Sequence, residues 1–190
     1  MSKQIIENLI NDHFDLKNNI INFSDRIEFI SKKAVNTLKQ KRTIFWCGNG
    51  GSASDSQHLA AELVGRFEKN RSPLRSIALN TDTSVLTAIA NDYSYDQVFQ
   101  RQLEALAVQN DLLIAISTSG NSKNILNVLR EAKKKNIYSV ALLGNDGGEA
   151  KKIADSNIII PSNSTARIQE MHILIGHIIC RIIEKEIFKG

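Results

Sequence analysis

Asp111-Leu112-Leu113-Ile114-Ala115-Ile116-Ser117-Thr118-Ser119-Gly120-Asn121-Ser122 reads as a strand that runs directly into a polar turn. Residues 112–116 are apolar without a break. A strand with one wet face alternates polar and apolar residues, whereas an unbroken run is buried on both faces, as in the middle of a parallel sheet. Four hydroxyl side chains and a glycine then fall within six residues, and a helix is predicted over 122–135.

The same unit recurs outward from this stretch. Thr43-Ile44-Phe45-Trp46-Cys47 is a short apolar strand that ends in Gly48-Asn49-Gly50-Gly51-Ser52-Ala53, with a helix predicted over 54–67. Further strands are predicted at 76–79, 137–143 and 157–160, the last stopped by Pro161 and Ser162. Helices over 83–90, 96–108, 148–154 and 165–188 fill the intervals. Strands alternating with helices imply one parallel sheet covered on both faces, with ligands at the carboxyl ends of the strands. Before the first strand, residues 2–40 read as helix in two pieces. Ile5, Ile6, Leu9, Ile10, Phe14, Leu16, Ile20 and Ile21 recur at helical spacing in the first, and Ile27, Phe29, Ile30, Val35 and Leu38 follow in the second. These stripes exceed what one small sheet covers, so a second copy of the chain is the expected partner.

The bulk properties are those of a soluble domain. The chain has 190 residues, enough for one domain with a real core, and is 42% hydrophobic and 23% charged. The net charge of +4 and pI near 9.1 raise the question of nucleic acid. The tight basic run, Lys133-Lys134-Lys135, lies at a predicted helix end, where cations complement the helix dipole, so no nucleic-acid partner is expected. A diffuse positive excess still favours an anionic substrate. Cys47 and Cys180 have no metal-type spacing and suit a reducing compartment. Residues 1–10 lack the apolar core of a signal peptide, and no run is long and apolar enough for a membrane span. A cytoplasmic location with no membrane partner is therefore expected.

Two loops can hold phosphate. Gly48-Asn49-Gly50-Gly51-Ser52-Ala53 matches the dinucleotide fingerprint, but that fingerprint also requires an acid about 20 residues on. Here the next acid beyond strand two is Asp82, 34 residues after Gly48. The glycines suit a site where bare backbone N–H groups approach a substrate. In the second loop, Ser117, Thr118, Ser119 and Ser122 supply O–H donors at a helix N-terminus, where the dipole also favours an anion. Capping that helix takes one such residue, not four. No lysine completes a nucleotide-triphosphate loop.

Together these loops resemble the sugar isomerase (SIS) family over at least residues 40–185. Gln57-His58-Leu59-Ala60-Ala61-Glu62-Leu63, Ala90-Asn91-Asp92 and Arg167-Ile168-Gln169-Glu170-Met171-His172 narrow the resemblance to its phosphoheptose isomerase branch. The implied fold is α/β: a single SIS domain, residues 1–190, with a five-stranded parallel sheet flanked by helices in the flavodoxin-like manner. Residues 1–40 are extra N-terminal helices, residues 41–190 the α/β core, and the implied assembly a homotetramer. The implied reaction is aldose–ketose isomerisation of sedoheptulose 7-phosphate to D-glycero-D-manno-heptose 7-phosphate, for lipopolysaccharide, capsule or another surface glycan.

The resemblance also assigns residues. His58, Glu62, Gln169 and His177 match four zinc ligands, one ion per subunit, and Glu62 and His177 match the catalytic pair. Asn49, Gly50, Gly51, Ser52, Asn91 and Asp92 would contact sugar hydroxyls, and Ser117, Thr118, Ser119 and Ser122 the phosphate. Glu62 and Gln169 would also touch substrate. His58 and Glu62, four apart on a helix, share a face. Gln169 and His177 are eight apart, which is about 12 Å along a straight helix and about 80° round it. Either the two long side chains lean together, or one ligand comes from a neighbouring subunit. Arg66, one turn past Glu62, either meets substrate or forms a surface ion pair. A rival resemblance, carried by Ala78-Leu79-Asn80-Thr81-Asp82, Leu86-Thr87-Ala88-Ile89-Ala90-Asn91-Asp92 and Gln169-Glu170-Met171-His172, is to non-catalytic modules that bind the bacterial replication initiator. Those depart from the isomerase pattern at the positions of Glu62 and His177, and this chain keeps both.

Overall fold

A computed structural model describes residues 2–188; of the domain bounds read from the sequence, Met1, Lys189 and Gly190 lie outside the described residues. Two N-terminal helices, α1 (Ser2–Ile20) and α2 (Ser24–Lys39), precede β1 (Ile44–Gly48), α3 (Gly51–Val64) and β2 (Ser76–Ala78). Then come α4 (Thr83–Asp92), α5 (Val98–Leu106), β3 (Leu112–Ser117), α6 (Lys123–Lys134), β4 (Tyr138–Gly144), α7 (Ala150–Ile153), β5 (Ser156–Ile160) and α8 (Thr165–Ile187). Short 3-10 turns at Ile21–Phe23 and Tyr95–Gln97 join α1 to α2 and lead into α5.

The five strands form one sheet in the order β2-β1-β3-β4-β5, every neighbouring pair parallel. The apolar run that opens the sequence reading is the central strand, β3, buried at every position. Side chains alternate between two cores. Ile44 and Trp46 face a layer with α2, α3 and α8, including Ile30, Leu59, Ile114 and Ile175. Phe45 and Cys47 face the layer of α5 and α6, including Phe99, Leu113 and Leu129. Two buried faces account for the lack of polar alternation. The strand order turns back between β1 and β3, so the crevice beyond their carboxyl ends is the switch point where such sheets bind ligands.

Two differences from the sequence expectation matter. Helix α3 spans Gly51–Val64 rather than 54–67. Gly50, at φ +55°, makes the turn, and the N–H groups of Ser52 and Ala53 bond to Asn49 O and Gly50 O, so the helix begins inside the glycine loop. At the far end Gly65 is the C-cap, and Arg71 donates to the orphan carbonyls of Glu62 and Leu63, both at 2.7 Å. The N-terminal helices also behave differently from each other. Of the α2 stripe, Ile27, Ile30, Val35 and Leu38 are buried in the chain's own core, packed with α8, while Phe29 stays 46% exposed. On α1, Ile5, Ile6, Leu9, Ile10 and Phe14 remain 47–56% exposed, so this stripe still needs a cover.

Candidate active site

The two loops meet side by side beyond β1 and β3. Ser117 closes β3 and is 5% exposed; its Oγ accepts from Gly120 N at 3.1 Å. Ser119 Oγ accepts from Asn121 N at 3.2 Å. Each hydroxyl keeps its own O–H to donate to an anion. Ser122 is the N-cap residue of α6 but makes no side-chain capping bond, which leaves that hydroxyl uncommitted. Gly120 has φ +65°. Backbone N–H groups of the first α6 turn and these hydroxyls form a candidate anion cradle.

Three of the four metal-type residues converge. His58 Nε2 lies 3.1 Å from Glu62 Oε1 and 3.1 Å from His177 Nε2. One ligand atom from each of the three falls within 4.8 Å of the others. The i, i+4 spacing stacks His58 over Glu62 on α3, and α8 runs alongside, bringing His177 to both. Phe67 stacks on the His177 ring at 5.7 Å between centroids. Partial burial and the nearby His58 lower the His177 pKa below the usual histidine range, against the pull of Glu62. Asp55, one turn before His58, has its carboxyl pKa raised by burial although His58 pulls it down, and its Oδ2 is buried without a partner.

These distances test whether a metal fits. Ligand atoms around tetrahedral zinc, at about 2.0–2.1 Å from the ion, are about 3.3 Å apart. The two contacts of 3.1 Å match that spacing. Two imidazole nitrogens and a carboxylate oxygen facing one point are an electron-rich set that a cation relieves. With one ligand atom from each within 4.8 Å of the others, the three side chains can hold a metal ion.

The remaining expected residues divide. Gln169 lies on the same α3–α8 seam with its amide against Gly51: a Cβ on Gly51 would meet Gln169 Nε2 at 2.4 Å. Asn91 and Asp92 end α4 exposed, with Asn91 Nδ2 donating to Asp92 Oδ1 at 2.8 Å. Arg66 is exposed just past α3. A separate cavity of about 500 Å³, lined in part by Lys33, Asp111, Lys133 and Tyr138, opens at the amino ends of β3 and β4, away from these loops.

Residues 16–144 match the family model described as SIS domain. A phosphoheptose isomerase of Sulfurimonas denitrificans is 55% identical over 189 residues, covering 98% of this chain and 97% of that one. The structure of a phosphoheptose isomerase from Francisella tularensis superposes with a TM-score of 0.94 at 34% identity, covering 97% of this chain and 99% of that one. The Neisseria gonorrhoeae phosphoheptose isomerase gives 0.92 at 36%, covering 97% and 100%. The chain belongs to the SIS-domain family, among its phosphoheptose isomerases.

Within this SIS domain the geometry adds residues that the sequence reading missed. The loop after β4, Asn145 to Glu149, braces the anion cradle: Asn145 Nδ2 donates to Thr118 O at 3.0 Å, Ala150 N to Gly120 O at 2.9 Å and Glu149 N to Asn121 Oδ1 at 3.0 Å. A Cβ on Gly120 would meet Gly147 O at 2.1 Å, so the two loops pack backbone to backbone. The signal was present as Gly144-Asn145-Asp146-Gly147-Gly148. Asn124, on the first turn of α6, reaches across to Asn49. Nothing in its sequence neighbourhood marked it.

Proposed function

We propose that this enzyme converts sedoheptulose 7-phosphate to D-glycero-D-manno-heptose 7-phosphate through an enediolate and so supplies heptose to surface polysaccharides. The observation that carries the reading is the convergence of His58, Glu62 and His177 on the seam between α3 and α8, with α3 starting in the sugar loop beside the anion cradle. The names of the relatives support the substrate.

The cradle of Ser117, Thr118, Ser119 and Ser122 holds the phosphate. Asn49, Gly50, Gly51, Ser52, Asn91 and Asp92 meet sugar hydroxyls. Binding energy from that remote phosphate orients the reacting carbons. Glu62 takes the proton from C1 of the ketose, the C2 oxygen gains a proton, and the enediolate then receives a proton at C2 as the C1 oxygen loses one. His177 is the complementary acid and base for these transfers. Its lowered pKa keeps a neutral imidazole available near neutral pH. His58, Glu62, Gln169 and His177 would hold one zinc ion per subunit, which when bound supplies Lewis-acid stabilisation of the developing oxyanion. Glu62 would act as base only where it held that ion weakly, since tight coordination would consume its basicity.

The reading includes assembly with further copies, as a tetramer, which would cover the exposed α1 stripe. The proposed location is the cytoplasm, in keeping with two free cysteines. No helix among the described residues is long and apolar enough to cross a membrane. The initiator-binding reading has no use for the Glu62 and His177 pair.

The test is NMR of purified protein with sedoheptulose 7-phosphate, with and without a chelator, beside Glu62→Gln. Metal-replete protein forms aldose, while chelation and Glu62→Gln suppress it. Absence of aldose from metal-replete protein would sink the isomerase reading. Undiminished turnover by Glu62→Gln would remove Glu62 as the base.

A further inference from the structure

Asn49 and Asn124 form a reciprocal amide pair across the switch point. Asn49 Nδ2 donates to Asn124 Oδ1 at 2.9 Å, and Asn124 Nδ2 donates to Asn49 Oδ1 at 2.8 Å. One residue belongs to the glycine loop after β1, the other to the first turn of α6 after the anion cradle. The pair therefore ties the two loops directly.

The orientation of both amides follows from one unambiguous donor. Ile125 N donates to the Asn124 side chain at 3.0 Å, and a backbone N–H can only donate, so the atom it meets is Oδ1. Asn124 Nδ2 must then face Asn49, and the atom it meets there must be an acceptor. The Tyr95 hydroxyl approaches the same Asn49 Oδ1 at 3.4 Å as a second donor. A carbonyl oxygen has two lone pairs; one is engaged by Asn124, and the other faces the Tyr95 hydroxyl in a long contact. Asn49 Nδ2 has two hydrogens, one committed to Asn124. What remains for a ligand is one N–H.

We infer that Asn124 is a positioning residue: by locking the Asn49 amide it makes that position a donor only, aimed at an acceptor oxygen of the sugar phosphate. Asn124 itself is 3% exposed and acts through Asn49. Tyr95, 54% exposed, reinforces the lock from the solvent side. This rests on Asn49 meeting substrate, as in the proposed function.

The test is a double-mutant cycle on the metal-replete full chain: wild type, Asn49→Ala, Asn124→Leu and the double variant. Binding of sedoheptulose 7-phosphate is measured by calorimetry and turnover separately by NMR. Asn124→Leu weakens binding about tenfold in the wild-type background, the scale of one misaligned hydrogen bond. In the Asn49→Ala background it has no further effect, within about twofold. Equal weakening in both backgrounds, or none in either, overturns the inference, because a merely structural residue would not depend on Asn49. If Asn124→Leu does not fold, Asn124→Ala runs the same cycle, since it removes the amide that donates to Asn49 Oδ1 without adding a charge beside the phosphate. Binding without turnover in the wild type overturns the isomerase reading and leaves this cycle valid. Absence of binding by the wild type overturns both.

Discussion

Glu184 of α8 pairs with Arg71, beyond the end of α3, at 3.1 Å between Oε1 and Nε, and both side chains are 2% exposed. Glu184 also accepts from the N–H groups of Phe67, Glu68 and Lys69, while Arg71 donates to the carbonyls of Glu62 and Leu63. The pair therefore bolts the last turn of α3, which carries Glu62, to α8, which carries His177 two turns earlier. Glu184→Gln leaves a buried guanidinium without its counter-charge, a loss of about 3–5 kcal/mol. The expected fall in melting temperature is on the order of 10 °C. A melting temperature within about 2 °C of wild type would show that the pair does not brace the fold in this way.

The fold was legible because the strands carry unbroken apolar runs ended by loops of special chemistry, and β3 with its serines is the plainest. The candidate site was legible where residues sit in short local spacing: His58 with Glu62, which the structure brings together with His177, and the hydroxyls gathered in 117–122. Asn124 and the Asn145–Glu149 brace were not, because their roles arise only when loops distant in sequence are brought together by the sheet. The end of α3 was misplaced for a similar reason. The helical pattern runs on past Val64, but Gly65 caps the helix and Arg71, from outside it, satisfies the last carbonyls.

Gly51 has no side chain where Gln169 needs room. A Cβ there would meet the Gln169 amide, which is the movable end of a flexible side chain. Gly51→Ala should therefore fold with a melting temperature close to wild type while displacing Gln169. Zinc affinity and kcat/KM would both drop, about tenfold or more, the scale of disturbing one oriented ligand group. Zinc titration and NMR turnover measure this. Wild-type zinc affinity and turnover in Gly51→Ala would remove Gln169 from the site.

His172 is fully buried on α8, with Nε2 3.0 Å from Leu143 O and Nδ1 without a partner. Burial lowers its pKa from 6.5 to about 4. The unfolded chain thus takes up a proton that the fold refuses. The resulting stability is fully present above about pH 6.5, declines as the pH falls and is gone below about pH 4. Its size is about 3 kcal/mol. Urea unfolding of wild type and His172→Gln across this range should show the wild type losing more stability on acidification. Parallel curves for the two proteins would contradict it.

The α1 stripe offers the last prediction. Leu9 and Ile10 are about half exposed, at 47% and 49%, next to Ile6 and Phe14, although α1 is already anchored to α8 by His13 Nδ1 against Glu170 Oε2 at 2.7 Å and by Arg167 donating to Leu9 O. A helix held in place with its apolar face still wet is positioned to be covered by another copy. Leu9→Glu puts a charge in the middle of that face. Light scattering after size exclusion should show wild type as an oligomer and Leu9→Glu shifted to smaller species, since an unpaired buried charge costs several kcal/mol at each interface. Its circular dichroism should stay helical, because the stripe contributes little to the chain's own core. A monomeric wild type would show instead that the stripe is left uncovered, and an unchanged oligomer in Leu9→Glu would place the interface on another face.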